Sequence, residues 1–320
     1  MQGYFQRNIR ILPLLLAFSL ILGGLTACRA REAEEQDGVR FTDALGRVVT
    51  VAKNPARVAA LIGSFADVWV LSGGSLCAAA DDAWEDFGLE QDDAINLGGA
   101  HSPSLELLLA SAPDLVLASA STAGNVAMKD ALEAAGITVA YFDVDHFDDY
   151  LHMLNICTDI TGRKDLYEQN GLAIKREIDE IKAQYAASEI SERERRVLLL
   201  RASSGFVKAK GSRGTILGEM LADMGCVNIA DHETSLLERI SVEAVIREEP
   251  HHIFVVTMGS DTEAAMRSLE SMIAQNPAWG NLDAVRAGRM HVMEKQLFNL
   301  KPNARWGEAY RRLYETLTRP

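Results

Sequence analysis

Short apolar runs alternate with segments of helical period along most of this chain. The runs are four or five residues long and contain almost no polar positions, which is typical of strands buried on both faces of a sheet. The segments between them carry apolar residues three and four positions apart, as helices with one buried side do. The pattern predicts a hairpin at 41–51 with Gly46 in its turn, strands at 58–62, 76–80, 115–118 and 139–142, and helices at 66–71, 105–110 and 127–135. Such alternation favours an α/β fold in which helices cover both faces of a mostly parallel sheet.

A helical segment interrupts this alternation in the middle of the chain. From Phe147 to Gly162 apolar residues occur without a strand pattern, and a strong helical period follows. Beyond a charged cluster the alternation returns, with strands predicted at 197–200 and 253–256, and helices at 215–224 and from about residue 304. We therefore divide the folded chain into an N-terminal α/β lobe (39–146), a helical segment (147–195) and a C-terminal α/β lobe (196–320).

The two lobes share a local pattern. A Ser–apolar–Glu triplet opens a predicted helix in each lobe, and its last residue is Glu106 in the first and Glu243 in the second. Seven residues after each glutamate comes a proline, Pro113 or Pro250, followed by a predicted strand. The copies are 137 residues apart, too far for a solenoid repeat, so they indicate two lobes of similar build. A carboxylate in the first turn of a helix is also stabilised by the helix dipole, by about 0.3–1 kcal/mol, and this structural role is one explanation for the pair.

The first 27 residues have the organisation of a secretory signal. Arg7 and Arg10 precede an apolar run that is short for a membrane span, and small residues then lead to Cys28. This ending resembles a bacterial lipoprotein signal, in which the cysteine is lipidated and becomes the first residue of the mature protein. An ordinary signal peptide with an incidental cysteine is the alternative. Residues 28–38 are charged and small, and we expect a flexible spacer.

Composition narrows the range of partners. The chain has 32 Lys and Arg against 45 Asp and Glu, a net charge of −13, so nucleic acid and anionic lipid headgroups are poor partners. Membrane association is expected through the lipid anchor only. Beyond Cys28 there are three cysteines, Cys77, Cys157 and Cys226, each in an apolar segment. We expect buried free thiols, with one disulfide and a spare thiol as the alternative.

Several short motifs follow one another in a particular order along residues 39–318. They are FTDALGR at 41–47, NPARV at 54–58, Gly98-Gly99 before PSLE at 103–106, APDLV at 112–116, GCVN at 225–228, SVE at 241–243 and NPAW at 276–279. Each is weak alone, but their order and spacing are specific. Together they resemble the substrate-binding lipoproteins of ABC importers for ferric siderophores, haem and cobalamin, the class III periplasmic binding proteins.

The resemblance implies a fold and a function. It implies two similar α/β lobes bridged by a single long helix, which we expect to begin near Phe147, with the ligand in the cleft between the lobes. It implies a monomeric extracytoplasmic receptor, not an enzyme, that captures an iron–siderophore, haem or a corrinoid. This metal chelate would pass to the dimeric transmembrane permease and its ATPase. In the family one surface glutamate per lobe docks against arginines of the permease, and Glu106 and Glu243 occupy those positions.

Most candidate ligand-binding residues follow predicted strands, because ligands of parallel α/β sheets lie beyond the carboxyl ends of the strands. His101 instead precedes the helix of Glu106, and Phe298 is included as an aromatic face for a macrocycle or catechol. The candidates are Phe65, Trp84, His101 and Ser121 in the first lobe, and Arg201, Phe206, Lys208, Lys210, Arg213 and Phe298 in the second. Four of them are cations within 13 residues of an otherwise acidic chain, which favours an anionic ligand; a solvated hairpin is the alternative. His101 is also a candidate ligand of haem iron, although a lone histidine is more often a hydrogen-bonded loop residue.

Two other classes of function, a receptor for a bare metal ion and an enzyme, find less support in the sequence. A receptor for bare zinc or manganese would need three or four convergent His, Asp or Glu ligands, whereas the expected loops offer mainly aromatic and basic groups. An extracytoplasmic enzyme finds no support, since the sequence has no GxSxG, HExxH or phosphate-binding glycine loop. No resident metal or cofactor is expected, and His251 and His252, directly before a strand, are interpreted as structural.

Overall fold

The computed structural model describes residues 38–91, 93–259 and 261–319. The predicted signal peptide, Cys28 and nearly all of the predicted spacer lie outside these residues. None of the helices in the described part of the chain combines the length and the apolar character needed to cross a bilayer.

A hairpin precedes the first lobe, as predicted. Its strands are β1 (Gly38–Thr42) and β2 (Val48–Ala52), paired antiparallel. Gly46 takes a φ of 75° in the turn, and the side chain of Asp43 accepts the backbone N–H groups of Leu45 and Arg47 at 3.0 Å. The Arg47 guanidinium donates to the carbonyl oxygen of Val139 at 2.9 Å, which fastens the hairpin to the lobe.

The N-terminal lobe is a five-stranded parallel sheet in the order β5-β4-β3-β6-β7. Its strands are β3 (Val58–Ala60), β4 (Ala78–Ala79), β5 (Ile95–Asn96), β6 (Leu115–Ser119) and β7 (Thr138–Phe142). Its helices are α1 (Gly63–Leu71), α2 (Asp82–Glu85), α3 (Leu105–Ala110), α4 (Ala123–Ala127) and α5 (Lys129–Ala134). The four predicted strands are confirmed, and the helix predicted at 127–135 is divided between α4 and α5.

Two helical stretches lie between the lobes along the chain. They are α6 (Phe147–Thr161) and a continuous stretch made of α7 (Lys164–Tyr167), a π-helical turn (Glu168–Leu172) and α8 (Ala173–Ala186). Gly162, with a φ of 70°, ends α6.

The second stretch is the bridge between the lobes. Near its start, Asn170 donates to the carbonyl oxygen of Leu71 in the first lobe at 2.9 Å. Near its end, Lys182 forms a 2.6 Å ion pair with Asp223 of the second lobe. A single long helical segment therefore joins the lobes, as expected, but it begins at Lys164 and not near Phe147.

The C-terminal lobe repeats the parallel arrangement, in the order β10-β8-β11-β12, with β9 antiparallel to the end of β8. Its strands are β8 (Arg196–Ala202), β9 (Val207–Lys210), β10 (Val227–Asn228), β11 (His252–Thr257) and β12 (Met290–Met293). Its helices are α9 (Ile216–Asp223), α10 (Ser235–Glu238), α11 (Val242–Glu248), α12 (Thr262–Gln275), α13 (Asp283–Arg286), α14 (Lys295–Phe298) and α15 (Trp306–Leu317). The α/β prediction, with helices on both faces of each sheet, is confirmed.

The largest apolar core passes through both lobes. It joins one face of each sheet to α6, α8, α9 and α15, while two smaller cores lie under the other face of each sheet. Alternate residues of β8 therefore point to different cores: Leu199 faces the junction of the lobes, and Leu198 and Leu200 face away from it.

The three cysteines in the described part of the chain are free thiols, in agreement with the first expectation. Cys157 and Cys226 are buried, and burial raises the pKa of Cys157 to about 12 and that of Cys226 to about 11. Cys77 is only partly buried. The two buried thiols are protonated and unreactive at neutral pH.

A buried histidine pair should make the protein less stable in mild acid. His252 is 2% exposed, and its Nδ1 lies 3.0 Å from Nε2 of His291. Burial, and then the neighbouring His251 and His291, lower the pKa of His252 to about 3. The unfolded chain therefore takes up a proton first as the pH falls through about 6.5, and the free energy of unfolding should decrease by about 2 kcal/mol at about pH 5. Above about pH 7 this group contributes no pH dependence.

Urea unfolding of His252→Gln measures this contribution. The variant should lose less stability than the wild type between about pH 7 and pH 5, because the titrating ring is gone. His152→Gln, at an exposed position, is the matched control and should keep the wild-type pH dependence. The same slope for the His252 variant and the wild type would show that the pair is not responsible.

Candidate functional site

Three of the predicted cations lie together on one face of the β8–β9 hairpin. Arg201 is paired with Lys208 across the two strands, and Lys210 is paired with Leu199. Side chains of directly paired residues, and of residues two positions apart on a strand, share a face. Because Leu199 packs in the core that joins the lobes, this face points to the junction between them. Arg201 lies at the carboxyl end of the central strand β8, where ligands of such sheets bind.

The three cations lack a counter-ion among the residues that the structure describes. Within the described part of the chain none of the three forms an ion pair, and Nε of Arg201 is buried without a hydrogen-bond partner. Burial lowers the pKa of Arg201. Burial, followed by the charges of Arg201 and Lys208, lowers the pKa of Lys210. A buried cation without a partner is unfavourable, so an anion placed here would gain both hydrogen bonds and charge compensation.

The remaining predicted residues of the second lobe extend this cluster to the surface. Phe206 lies in the turn of the hairpin, is 41% exposed, and has Lys208 Nζ 5.3 Å from its ring centroid. Arg213 is exposed and follows β9. A solvated hairpin describes Lys208 and Arg213 well, but it does not describe Arg201 and Lys210, which are partly buried.

Three of the predicted aromatic residues, Phe65, Trp84 and Phe298, belong to or pack against the core that joins the lobes. Phe65 is 0% exposed and packs edge-on against Phe142 with ring centroids 6.1 Å apart. Phe298 is 2% exposed, and Trp84 is partly buried against the core that joins the lobes. Phe65 and Phe298 are predicted above as ligand-binding residues, and this burial does not fit a direct contact with a ligand: both are core residues.

His101 and Ser121 are exposed on neighbouring loops of the first lobe. Asn125 holds these loops together: its side chain accepts from Ser119 N–H at 3.0 Å and donates to the Ala100 carbonyl oxygen at 3.1 Å. The described residues include no group of three or more His, Cys, Asp or Glu side chains placed to hold a metal ion.

Two lysines of the second lobe that lie against the first lobe were not among the predicted residues. Lys295 Nζ forms a 3.0 Å ion pair with Asp86, which joins the second lobe to the loop after α2 of the first. Lys301 is partly buried, with Nζ 5.9 Å from the ring centroid of Phe65. Burial lowers the pKa of Lys301, while Asp145 and other nearby aspartates oppose the effect. Both lysines follow β12, which has no continuous apolar run, and without that strand their position could not be inferred.

Two surface cavities lie away from the cationic cluster. One, of about 430 Å³, lies where α6, α8, α9 and α15 meet, and its charged lining includes Asp148, Asp179, Glu219 and Asp223. The other, of about 410 Å³, lies near the amino end of β11 beside Ile246 and His251. None of the three clustered cations lines either cavity.

Glu106 and Glu243 are exposed in the first turns of α3 and α11. Neither carboxylate forms an ion pair with another described residue. The Glu243 carboxylate accepts hydrogen bonds from its own backbone N–H and from Ser241, and these lower its pKa. Arg247, one turn further along α11, pairs with Glu233 and Glu248 instead. Both carboxylates therefore lie at the surface without an ion-pair partner among the described residues.

Comparisons with known proteins agree with the fold. Residues 58–297 match the family described as periplasmic binding protein. The Fe(3+)-citrate-binding protein YfmC of Bacillus subtilis (strain 168) is 24% identical over 309 residues, which cover 92% of each chain. Staphylococcus aureus SirA complexed with staphyloferrin B aligns with a TM-score of 0.68 and 19% identity, over 87% of this chain and 98% of that one. A periplasmic heme binding protein from Pseudomonas aeruginosa aligns with a TM-score of 0.65 and 24% identity, over 82% of this chain and 92% of that one.

The family match reaches from β3 to α14, so it takes in both sheets and the helical bridge between them. The structural alignments extend over nearly the whole of each solved chain, in agreement with the predicted two-lobed fold. This chain belongs to the periplasmic binding protein family.

Proposed function

We propose that the chain is an extracytoplasmic solute-binding lipoprotein that captures an anionic metal chelate, above all a ferric one, and delivers it to the permease of an ABC importer. It acts as a receptor and not as an enzyme. The single observation that carries the choice of ligand is a set of three cations at the carboxyl end of β8, Arg201, Lys208 and Lys210, none of which forms an ion pair with another described residue.

Charge separates the ligand classes that the family resemblance leaves open. Ferric complexes of carboxylate chelators are anionic, and haem carries propionates, whereas cyanocobalamin has no net charge. A bare zinc or manganese ion would be repelled by the three cations. An anionic chelate in a partly buried site gains charge-assisted hydrogen bonds that a neutral corrinoid cannot make to the same extent. The curated relative named for ferric citrate agrees with this choice.

Delivery is supported by the two exposed glutamates and by the predicted anchor. Glu106 and Glu243 lie at the surface on equivalent helices of the two lobes, which suits a partner that presents arginine twice. Lipidation of Cys28 would keep the receptor at the membrane surface, where a short spacer raises its effective concentration near the permease.

Ligand binding by the purified mature chain, with Cys28 replaced by Ser, tests the proposal. The probes are ferric citrate, ferric staphyloferrin B, haemin, cyanocobalamin and Zn²⁺, followed by tryptophan fluorescence and by thermal shift. We expect binding of at least one of the ferric chelates, with an affinity that decreases as NaCl is added, because the attraction between charges is screened. Binding of cyanocobalamin alone or Zn²⁺ alone, or of no probe at all, would overturn the anionic-chelate proposal.

A further inference from the structure

A short segment of the second lobe crosses to the first. Residues 295–303, here called the crossing segment, lead from β12 to α15, and both ends of the segment contact the first lobe. At one end, Lys295 Nζ lies 3.0 and 3.4 Å from the two carboxylate oxygens of Asp86. At the other end, the side chain of Asn303 donates hydrogen bonds to α1. The lobes are therefore joined by the helical bridge and also by this segment.

The contact at Asn303 is buried. Asn303 is 1% exposed, and its Nδ2 donates to the Ser64 carbonyl oxygen and to Asp67 Oδ2, both at 2.8 Å. Its φ of 51° is a left-handed conformation, which asparagine adopts more easily than most residues other than glycine. Breaking this contact would leave buried polar groups without partners, which is unfavourable. Asn303 is therefore a fixed point of the crossing segment.

The contact at Lys295 is accessible to water. The side chains of Lys295 and Asp86 are 20% and 22% exposed. An ion pair that water reaches is weak, because each charged group recovers its hydration when the pair separates. The two ends of the crossing segment therefore differ: the ion pair opens far more easily than the buried contact at Asn303.

The ion pair lies beside the proposed ligand site and not within it. Arg201 of β8 is paired with Val256 of β11, and Val256 is paired with Met293 of β12. Neighbouring strands are about 4.8 Å apart, so β12 lies about 10 Å from β8 along the same edge of the sheet. Lys295 follows two residues after Met293, and Asp86 takes up its charge. A ligand held by the cations of β8 and β9 therefore leaves this ion pair intact.

We propose that the ion pair between Lys295 and Asp86 is a latch, which holds the two lobes together and opens about Asn303 to let the ligand pass. A bulky chelate passes between the lobes only while the latch is open, so the latch slows ligand binding and ligand release alike. Because the closed pair does not touch the ligand, breaking it raises both rate constants by the same factor and leaves the affinity unchanged. This inference rests on the proposed function, since it assumes that the ligand lies between the lobes.

Pulsed electron paramagnetic resonance on the ligand-free protein tests the latch directly. Spin labels are placed at Ala123→Cys and Glu263→Cys, the exposed first turns of α4 and α12, one in each lobe. Cys28→Ser and Cys77→Ser leave only buried thiols besides the two labelled cysteines among the described residues. The distance between the labels should have one narrow distribution when the latch is present.

Breaking the ion pair by Lys295→Met should add a second population with a longer distance between the labels. The exchanged pair Asp86→Lys/Lys295→Asp restores the attraction with the charges reversed, and it should return the single narrow distribution. If Lys295→Met leaves the distribution unchanged, the latch is refuted, whichever ligand the protein binds.

Stopped-flow binding of ferric citrate and of ferric staphyloferrin B measures the effect on ligand passage. We expect Lys295→Met to raise the association and dissociation rate constants by about fivefold each, and to change Kd by less than about twofold. Lys175→Met breaks an ion pair with Asp179 inside the bridge and serves as the matched control; both rate constants should stay those of the wild type.

The outcomes separate the latch from the proposed function. A Kd that rises through the dissociation rate constant alone would make Lys295 a ligand contact and refute the latch. If neither chelate binds even the wild type, the anionic-chelate proposal loses its support, and the distance between the labels still decides whether the latch exists.

Discussion

Replacing Arg201 and Lys210 together by methionine should weaken the binding of the ferric chelate that we propose as the ligand, by about 100-fold or more. Each cation is placed to make a charge-assisted hydrogen bond, worth about 1.5–3 kcal/mol, and about 1.4 kcal/mol corresponds to tenfold in Kd. The same change should leave the protein at least as stable as the wild type. Nε of Arg201 is buried without a hydrogen-bond partner among the described residues, so its removal relieves an unfavourable desolvation that the native fold carries. Weaker binding with unchanged or higher stability is the signature of residues kept for function.

Calorimetric titration with ferric citrate or ferric staphyloferrin B, alongside urea unfolding, measures both effects. Arg267→Met removes an exposed cation from α12 of the same lobe and serves as the matched control; its Kd should equal that of the wild type. Wild-type affinity in the Arg201/Lys210 variant would place the ligand elsewhere. A large loss of stability in that variant would instead assign the two cations a structural role.

Replacing Glu106 and Glu243 together by alanine should abolish uptake without changing ligand affinity. The two carboxylates are exposed and form no ion pair with another residue in the described part of the chain. The cationic cluster lies on a different face, toward the junction of the lobes. Loss of both charges would remove the contacts that we propose orient the receptor on the permease, so we expect uptake to fall to the level of cells without the receptor. The measurement is the accumulation of radioactive iron by cells that carry the variant in place of the wild type. Ligand affinity is determined in parallel on the purified protein.

Helix-dipole stabilisation is the competing explanation for these glutamates, and Glu263 separates the two. Glu263 also lies exposed in the first turn of a helix, α12, but outside the Ser–apolar–Glu pattern that the two lobes share. If the glutamates serve only their helices, Glu263→Ala should affect stability as much as Glu106→Ala or Glu243→Ala does, and all three variants should retain uptake. If they dock the permease, only the Glu106 and Glu243 variants should lose uptake. A reduced ligand affinity in those two variants would place the glutamates in the ligand site instead.

Apart from the two strands of the hairpin, the strands that the sequence predicted are those buried on both faces of a sheet. Continuous apolar runs such as those of β6 and β11 have this origin, because helices cover each face of a parallel sheet. The strands that it missed are two residues long, as β5 and β10 are, or lie at an edge, as β12 does with Val292 51% exposed. The start of the bridge was also misplaced. Helical periodicity continues past residue 162 in the sequence, and only the positive φ of Gly162 separates α6 from the bridge.

The sequence therefore established the α/β class, the two lobes, the paired glutamates and the cluster of cations, because each of these depends on residues close together in the chain. It did not show that Phe65 and Phe298 are core residues, since the position of a residue along the chain does not specify whether its side chain is buried. The ion pair between Asp86 and Lys295 joins residues 209 positions apart. Nε of Arg201 has no hydrogen-bond partner among the described residues, and this depends on every segment packed around it. Burial and pairing of a charge are properties of contacts between distant segments, and the folded chain alone brings those segments together.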